Sequence, residues 1–202
     1  VDGIYYLWFL WGCWTYSTFI MSKKDTFRFY ISFLSLVLII VFPYGVTIYS
    51  MRIAVPVLVI IIGCFIYIRS LRVRDKLYLF ITLLTIGLTN SGLGLISIYD
   101  PILMFLDTGI VVAFSSVILS FLFYPSHSMK YRVSAVVLGC IAGDFLLCFS
   151  LNKIGFLYSV GNGNFLDSLT ISLFTLIVIK VLNDINHVVN MKLQTKGEMN
   201  NI

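Results

Sequence analysis

The sequence predicts an all-α, polytopic transmembrane helix bundle of about seven spans, with the N-terminus outside and the C-terminus cytoplasmic. Three observations carry that class. Of the 202 residues, 59% are hydrophobic and 11% charged, against roughly 45–50% and about 25% for soluble domains. The mean hydropathy of +0.99 arises from long apolar blocks cut by short basic stretches, not from amphipathic periods. Lys and Arg also alternate between successive connections, as they do in a chain threaded back and forth through a bilayer.

At about 20 residues per span, the apolar runs place helices at 3–21, 29–48, 53–68, 77–98, 102–124, 133–151 and 166–182. The first is dense in aromatics. Tyr5, Tyr6 and Trp8 fit the headgroup belt, where a ring is buried and its polar atom stays wet. Trp11 and Trp14, deeper and three residues apart, read as packed against another helix or as lining a groove, packing being the simpler account. No basic stretch precedes this segment and no small-residue cleavage site follows it, so it is expected to remain as an anchor. Val1, where Met is usual, fits an alternative bacterial start codon or a trimmed start. Pro43 and Pro56 fall near span ends, where a lost backbone hydrogen bond matters least, and Tyr49-Ser50-Met51-Arg52 joins spans two and three as a tight helical hairpin. Residues 1–182 thus form one transmembrane domain. Residues 183–202 read as a polar cytoplasmic tail, with Ile185, Val188, Val189 and Met191 as an apolar stripe on the inner membrane surface before a disordered end.

The charges test this threading independently. Lys23, Lys24 and Arg28, then Arg69, Arg72, Arg74 and Lys76, then Lys130 and Arg132, and finally Lys180, Lys192 and Lys196 all fall on one side. Only Arg52 and Lys153 fall on the other. Twelve basic residues against two give the N-out, C-in orientation by the positive-inside rule. The same scattering argues against a nucleic-acid partner, despite a net charge of +5; the expected partner is the lipid bilayer. Lys180 lies close enough to a span end to snorkel.

Cys13, Cys64, Cys140 and Cys148 sit inside apolar segments without ligand spacing, which predicts neither a disulfide framework nor a metal site. His127 and His187 have no paired ligands in sequence. The chain has no H-E-x-x-H, no G-x-S-x-G and no phosphate-binding Gly-Lys-Ser/Thr loop. Tyr99-Asp100 and Ala142-Gly143-Asp144 echo an intramembrane aspartyl protease, but Ile141 stands where a Gly is needed and Pro101 follows Asp100 at the surface. No catalytic residue and no cofactor is therefore expected, and the chain reads as a non-enzyme.

The opening Gly3-Ile4-Tyr5-Tyr6-Leu7-Trp8-Phe9-Leu10-Trp11-Gly12-Cys13-Trp14, followed by Thr18-Phe19-Ile20-Met21-Ser22-Lys23, resembles the YphA-type family of small multi-pass membrane proteins from Gram-positive spore-forming bacteria. The specific likeness covers about the first 25 residues. It implies a cell-membrane location and transfers no site residue.

Polar groups within the spans are the remaining signal, because an ionisable side chain in hydrocarbon costs at least about 2.5–3.5 kcal/mol on insertion scales. Asp144, eleven residues into span six, is the foremost. At about 1.5 Å per residue it lies near the bilayer midplane, where it must be protonated, paired or hydrated. Asn90 stands among Thr89, Ser91, Gly87, Gly92 and Gly94 in span four, while Asp107 and Asp167 lie toward outer helix ends. Asp144, Asn90 and Asp107 form the candidate intramembrane polar site, an outward-facing pocket for a proton, a metal ion or a cationic solute. The bland account has Asp144 neutral and hydrogen-bonded to Asn90 or a Ser/Thr, with Asp107 and Asp167 as helix caps. Gly139 and Gly143 form a G-x-x-x-G pair that permits close helix approach. The connection from Lys153 to Phe165, with Gly155, Gly161 and Gly163, reads as a flexible linker or, less simply, as a lid. Two functions follow: a small transporter or ion/proton-coupled protein, or a membrane scaffold or sensor working through protein contacts.

Overall fold

The structure is a computed structural model describing residues 2–48, 51–100, 102, 104, 106–124 and 129–199. It contains helices α1 (Ile4–Thr15), α2 (Thr26–Val41), α3 (Val55–Arg69), α4 (Val73–Tyr99), α5 (Thr108–Phe123), α6 (Met129–Lys153) and α7 (Gly163–Met199). Strands β1 (Gly45–Ile48), β2 (Met51–Ala54) and β3 (Ser159–Val160) form a small sheet in the order β1-β2-β3. Each apolar run read from the sequence contains one helix. Among the described residues, α4, α6 and Gly163–His187 of α7 are long and apolar enough to cross a membrane, and α2, α3 and α5 are shorter apolar helices.

Several boundaries depart from the sequence reading. The run 29–48 is helical only to Val41; beyond Pro43 the chain becomes β1, which pairs antiparallel with β2, Gly45 opposite Ala54 and Ile48 opposite Met51. The junction of α2 and α3 is thus a β-hairpin, not a helical one. Hydropathy cannot separate a short apolar strand from a helix end, and the β-branched Val46, Thr47 and Ile48 favour the pleated form. Pro56 falls in the first turn of α3, where its missing N–H leaves nothing unsatisfied. The run 102–124 becomes helical only at Thr108, because Asp107 caps it there. With 16 residues, α5 reaches about 24 Å, short of a hydrocarbon core of roughly 30 Å. Helix α7 continues to Met199. Tyr49, Ser50, Pro101, His127 and residues 200–202 lie outside the described residues.

The bundle is centred on α6, in which every residue from Ser134 to Ile141 is buried. The helix crosses α4 at the G-x-x-x-G pair. A methyl group on Gly143 would stand 2.8 Å from the Gly87 carbonyl oxygen, and one on Gly87 would stand 3.3 Å from that of Gly139. Only glycine lets the two backbones come this close. Leu10 and Leu38 from the periphery join Val136, Cys140, Leu169 and Leu176 in the main apolar cluster.

The aromatic helix α1 behaves differently from the expectation of tryptophans packed on a neighbour. It buries Tyr6 and Leu10, whereas Trp11 is 48% exposed and meets Trp14 edge to face at 5.5 Å. The helix ends in a π-helical turn, Tyr16–Ile20. There the Arg28 guanidinium of α2 donates to the carbonyls of Ser17 and Thr18, both at 2.9 Å.

Candidate functional site

The starts of α1, α5 and α7, the end of α6 and the small sheet gather at one end of the bundle. Each exposed helix start leaves backbone N–H groups that need acceptors. Asp107 meets this need locally, its carboxylate accepting from the Gly109 amide at 2.8 Å. Asn162 does the same for α7 through the amide of Phe165. Asp167 does it across space: from the first turns of α7 it accepts from the amides of Gly3 at 2.8 Å and Tyr6 at 2.9 Å, so it caps α1. A carboxylate at a helix N-terminus also answers the partial positive charge there.

Asp144 has no such excuse. It lies within α6, 5% exposed, and no helix starts on it. Its carboxylate accepts from the Tyr158 hydroxyl at 2.7 Å and from the Gly161 amide at 2.6 Å. Neither partner was evident from the sequence, where Asn90 or a Ser/Thr was the expected neighbour. The connection that supplies them is no plain linker: Ser159 and Val160 pair in parallel with Arg52 and Ile53 of β2, and Val160 packs with Ile53 and Cys148. Gly161 turns the chain at φ +75°, and a Cβ there would collide with the Val57 side chain. Burial, and then the adjacent carboxylate, push the Tyr158 phenol above its ordinary pKa, so it stays a donor.

Asn90 faces α6 from the glycine-rich stretch of α4 and is 6% exposed. Its amide nitrogen lies 3.0 Å from the Ser116 hydroxyl of α5 and 3.4 Å from the Cys140 sulfur. It is therefore satisfied by α5 and α6 together.

One cavity of about 480 Å³ joins these groups, lined by Asn90, Asp107, Asp144 and Asp167 together with Tyr158 and Ser168. All three residues of the sequence-derived site reach it. No Lys, Arg or His is among its described lining residues. The carboxylates do not converge on a point: no group of three or more His, Cys, Asp or Glu among the described residues could hold a metal ion. What the arrangement can do is take up a proton at a buried carboxylate, or receive a cation with acceptors spread along its wall.

Long apolar helices around a glycine-packed crossing define an integral membrane protein. The family model described as YphA-like integral membrane protein matches residues 2–201. The chain belongs to that family, as the resemblance of its first 25 residues implied. Searches of curated proteins and of solved structures find no match.

Proposed function

We propose that this protein is a small ion- or proton-coupled transporter, a multi-pass protein of a bacterial cell membrane. In this reading it has seven spans, N-out and C-in, with the cavity on the outer side. The observation that carries it is Asp144: a buried carboxylate, away from any helix start, on the wall of a cavity whose described lining has no basic residue. The carboxylate serves the Gly161 amide and the Tyr158 hydroxyl of the connecting segment and caps no helix, and an ionisable group held inside a span is a functional candidate by default. The orientation is supported by the basic residues, twelve of which fall on the side opposite the cavity.

The test is flux in liposomes containing the purified protein, read with a pH-sensitive dye under imposed proton and monovalent-cation gradients. Wild type is expected to dissipate or couple to a gradient, and Asp144→Asn to lose that flux while its α-helical circular dichroism and size-exclusion profile are kept. Full flux in a folded Asp144→Asn protein would reject the assignment. A scaffold or sensor role has one observation of its own, the exposed Trp8 of α1 and Phe19 of the π-helical turn that follows it. It is favoured if no gradient moves and a stoichiometric partner is retained in Asp144→Ala.

A further inference from the structure

We infer that the segment Gly155–Gly161 is a hinged lid on the cavity and that the Asp144 carboxylate is its latch, released when that carboxylate takes up a proton. This gives the cavity a gate, and its meaning, though not its measurement, rests on the transport reading above.

The argument begins with how the segment is held. Both ends are glycines at positive φ, +89° at Gly155 and +75° at Gly161, a backbone region that glycine enters without steric cost. Between them, Phe156 is exposed and Leu157 is 99% exposed, so the tip has almost no packing to anchor it. At its near side the amides of Gly155 and Phe156 donate to the carbonyls of Asn152 and Leu151, closing the end of α6, and Tyr158 meets Asn152 and Cys148 at 3.5 and 3.3 Å. The remaining ties are at the far side. Two residue pairs join β3 to β2, and two hydrogen bonds join Tyr158 and Gly161 to Asp144. Tyr158 and Asn162 are part of the cavity wall, so movement of this segment changes access to the cavity.

The latch depends on charge. Both bonds run from a neutral donor to a carboxylate, a class roughly twice as strong as its neutral counterpart. When hydronium gives a proton to Asp144, an O–H bond forms on the carboxylate as one in hydronium breaks and water leaves; the carboxylate's capacity to accept falls, and the new hydroxyl itself needs an acceptor. The lid then loses the charge assistance of both bonds together. No Lys, Arg or His is among the described residues that line the cavity. The titratable groups facing the same space are Asp107 of α5, Asp167 of α7, Tyr5 of α1, Tyr158 of the lid, and Cys140 of α6 itself, and Cys148 lies one turn further along α6.

Hydrogen–deuterium exchange by mass spectrometry on the full chain in nanodiscs tests the latch without any transport substrate. At pD 8, Asp144→Asn is expected to raise exchange in peptides spanning 154–162 at least tenfold over wild type, with α4 and α7 peptides unchanged. Lowering wild type to pD 5, after correction for intrinsic exchange, is expected to reproduce that increase, and Asp144→Asn is expected to show no further response. Should Asp144→Asn fail to fold, Tyr158→Phe keeps the carboxylate and removes one bond; a smaller increase with the pH response retained supports the latch. Equal lid exchange in wild type and Asp144→Asn, or an undiminished pH response in Asp144→Asn, overturns it. Loss of the flux result with this exchange pattern intact would reject transport and keep the lid.

Discussion

The two ends of the bundle solve the same problem with opposite charges. At the cavity end, helix starts present amides, and side-chain oxygens meet them: Asp167 on α1, Asp107 on α5 and Asn162 on α7. At the opposite end, helix ends present carbonyls, and donors meet those. Arg28 serves the π-helical end of α1, Arg132 donates to the Tyr124 carbonyl after α5 at 2.8 Å, and the Tyr78 hydroxyl donates to Phe123 at 2.6 Å. Acid at N-termini and base at C-termini is what the helix dipole favours. The comparison isolates Asp144. Every other charged group in it serves a helix terminus, and Asp144 serves a loop from the interior of α6.

Because α1 is pinned at both ends by other helices, its attachment gives the largest measurable effect. Asp167→Ala leaves two amides of α1 without their acceptor. Hydrogen bonds to charged groups are worth about 1.5–3 kcal/mol each, and partial exposure of Asp167 brings the expected total loss to about 2–3 kcal/mol. All three tryptophans lie in α1, so tryptophan emission during denaturant titration in micelles reports this helix specifically. The expected result is an α1 transition that precedes loss of the helical signal of the other segments. A single unshifted transition would show that apolar packing of Tyr6 and Leu10 alone holds α1.

Arg28→Ala removes the matching pin at the other end. Its bonds go to neutral carbonyls from a half-buried side chain, so a loss of about 1 kcal/mol is expected in the same titration. Arg28→Lys should recover little of it. A lysine ammonium lacks the planar fork that places Nε on one carbonyl and a terminal nitrogen on the next. If Arg28→Ala proves costlier than Asp167→Ala, the π-helical turn and not the N-terminal cap is the stronger attachment.

How much of this was legible beforehand depended on whether the signal was local. The seven apolar runs, the Gly139–Gly143 contact and the Asp107 cap each follow from residues close in sequence, and each has its counterpart in the structure. Counting depth along each span placed Asn90, Asp107 and Asp144 in the outer half of the membrane, but whether they share one cavity depends on how the helices are rotated, which depth does not give. Long-range partners were out of reach: nothing near Asp167 points to the amides of Gly3 and Tyr6, more than 160 positions away. Tyr158 was missed for a different reason. A glycine-bearing connection looks like a linker unless its two β3 residues are known to find β2. The hairpin of β1 and β2 was hidden inside a hydropathy maximum that a helix would produce equally well.

The smallest effect is the most discriminating one. Asp107 lies on the same cavity as Asp144, but its exposed carboxylate caps only its own helix. Asp107→Ala should cost about 0.5–1 kcal/mol, the low end for a lost cap. Asp107→Asn should cost almost nothing, because asparagine caps as well as aspartate while removing the charge. If Asp107 is only a cap, Asp107→Asn keeps both stability and flux, in contrast to Asp144→Asn. A stable Asp107→Asn protein with flux reduced tenfold would instead mean that the negative charge at the rim attracts the transported cation, and the division between structural and functional carboxylates would then have to be drawn between Asp107 and Asp167.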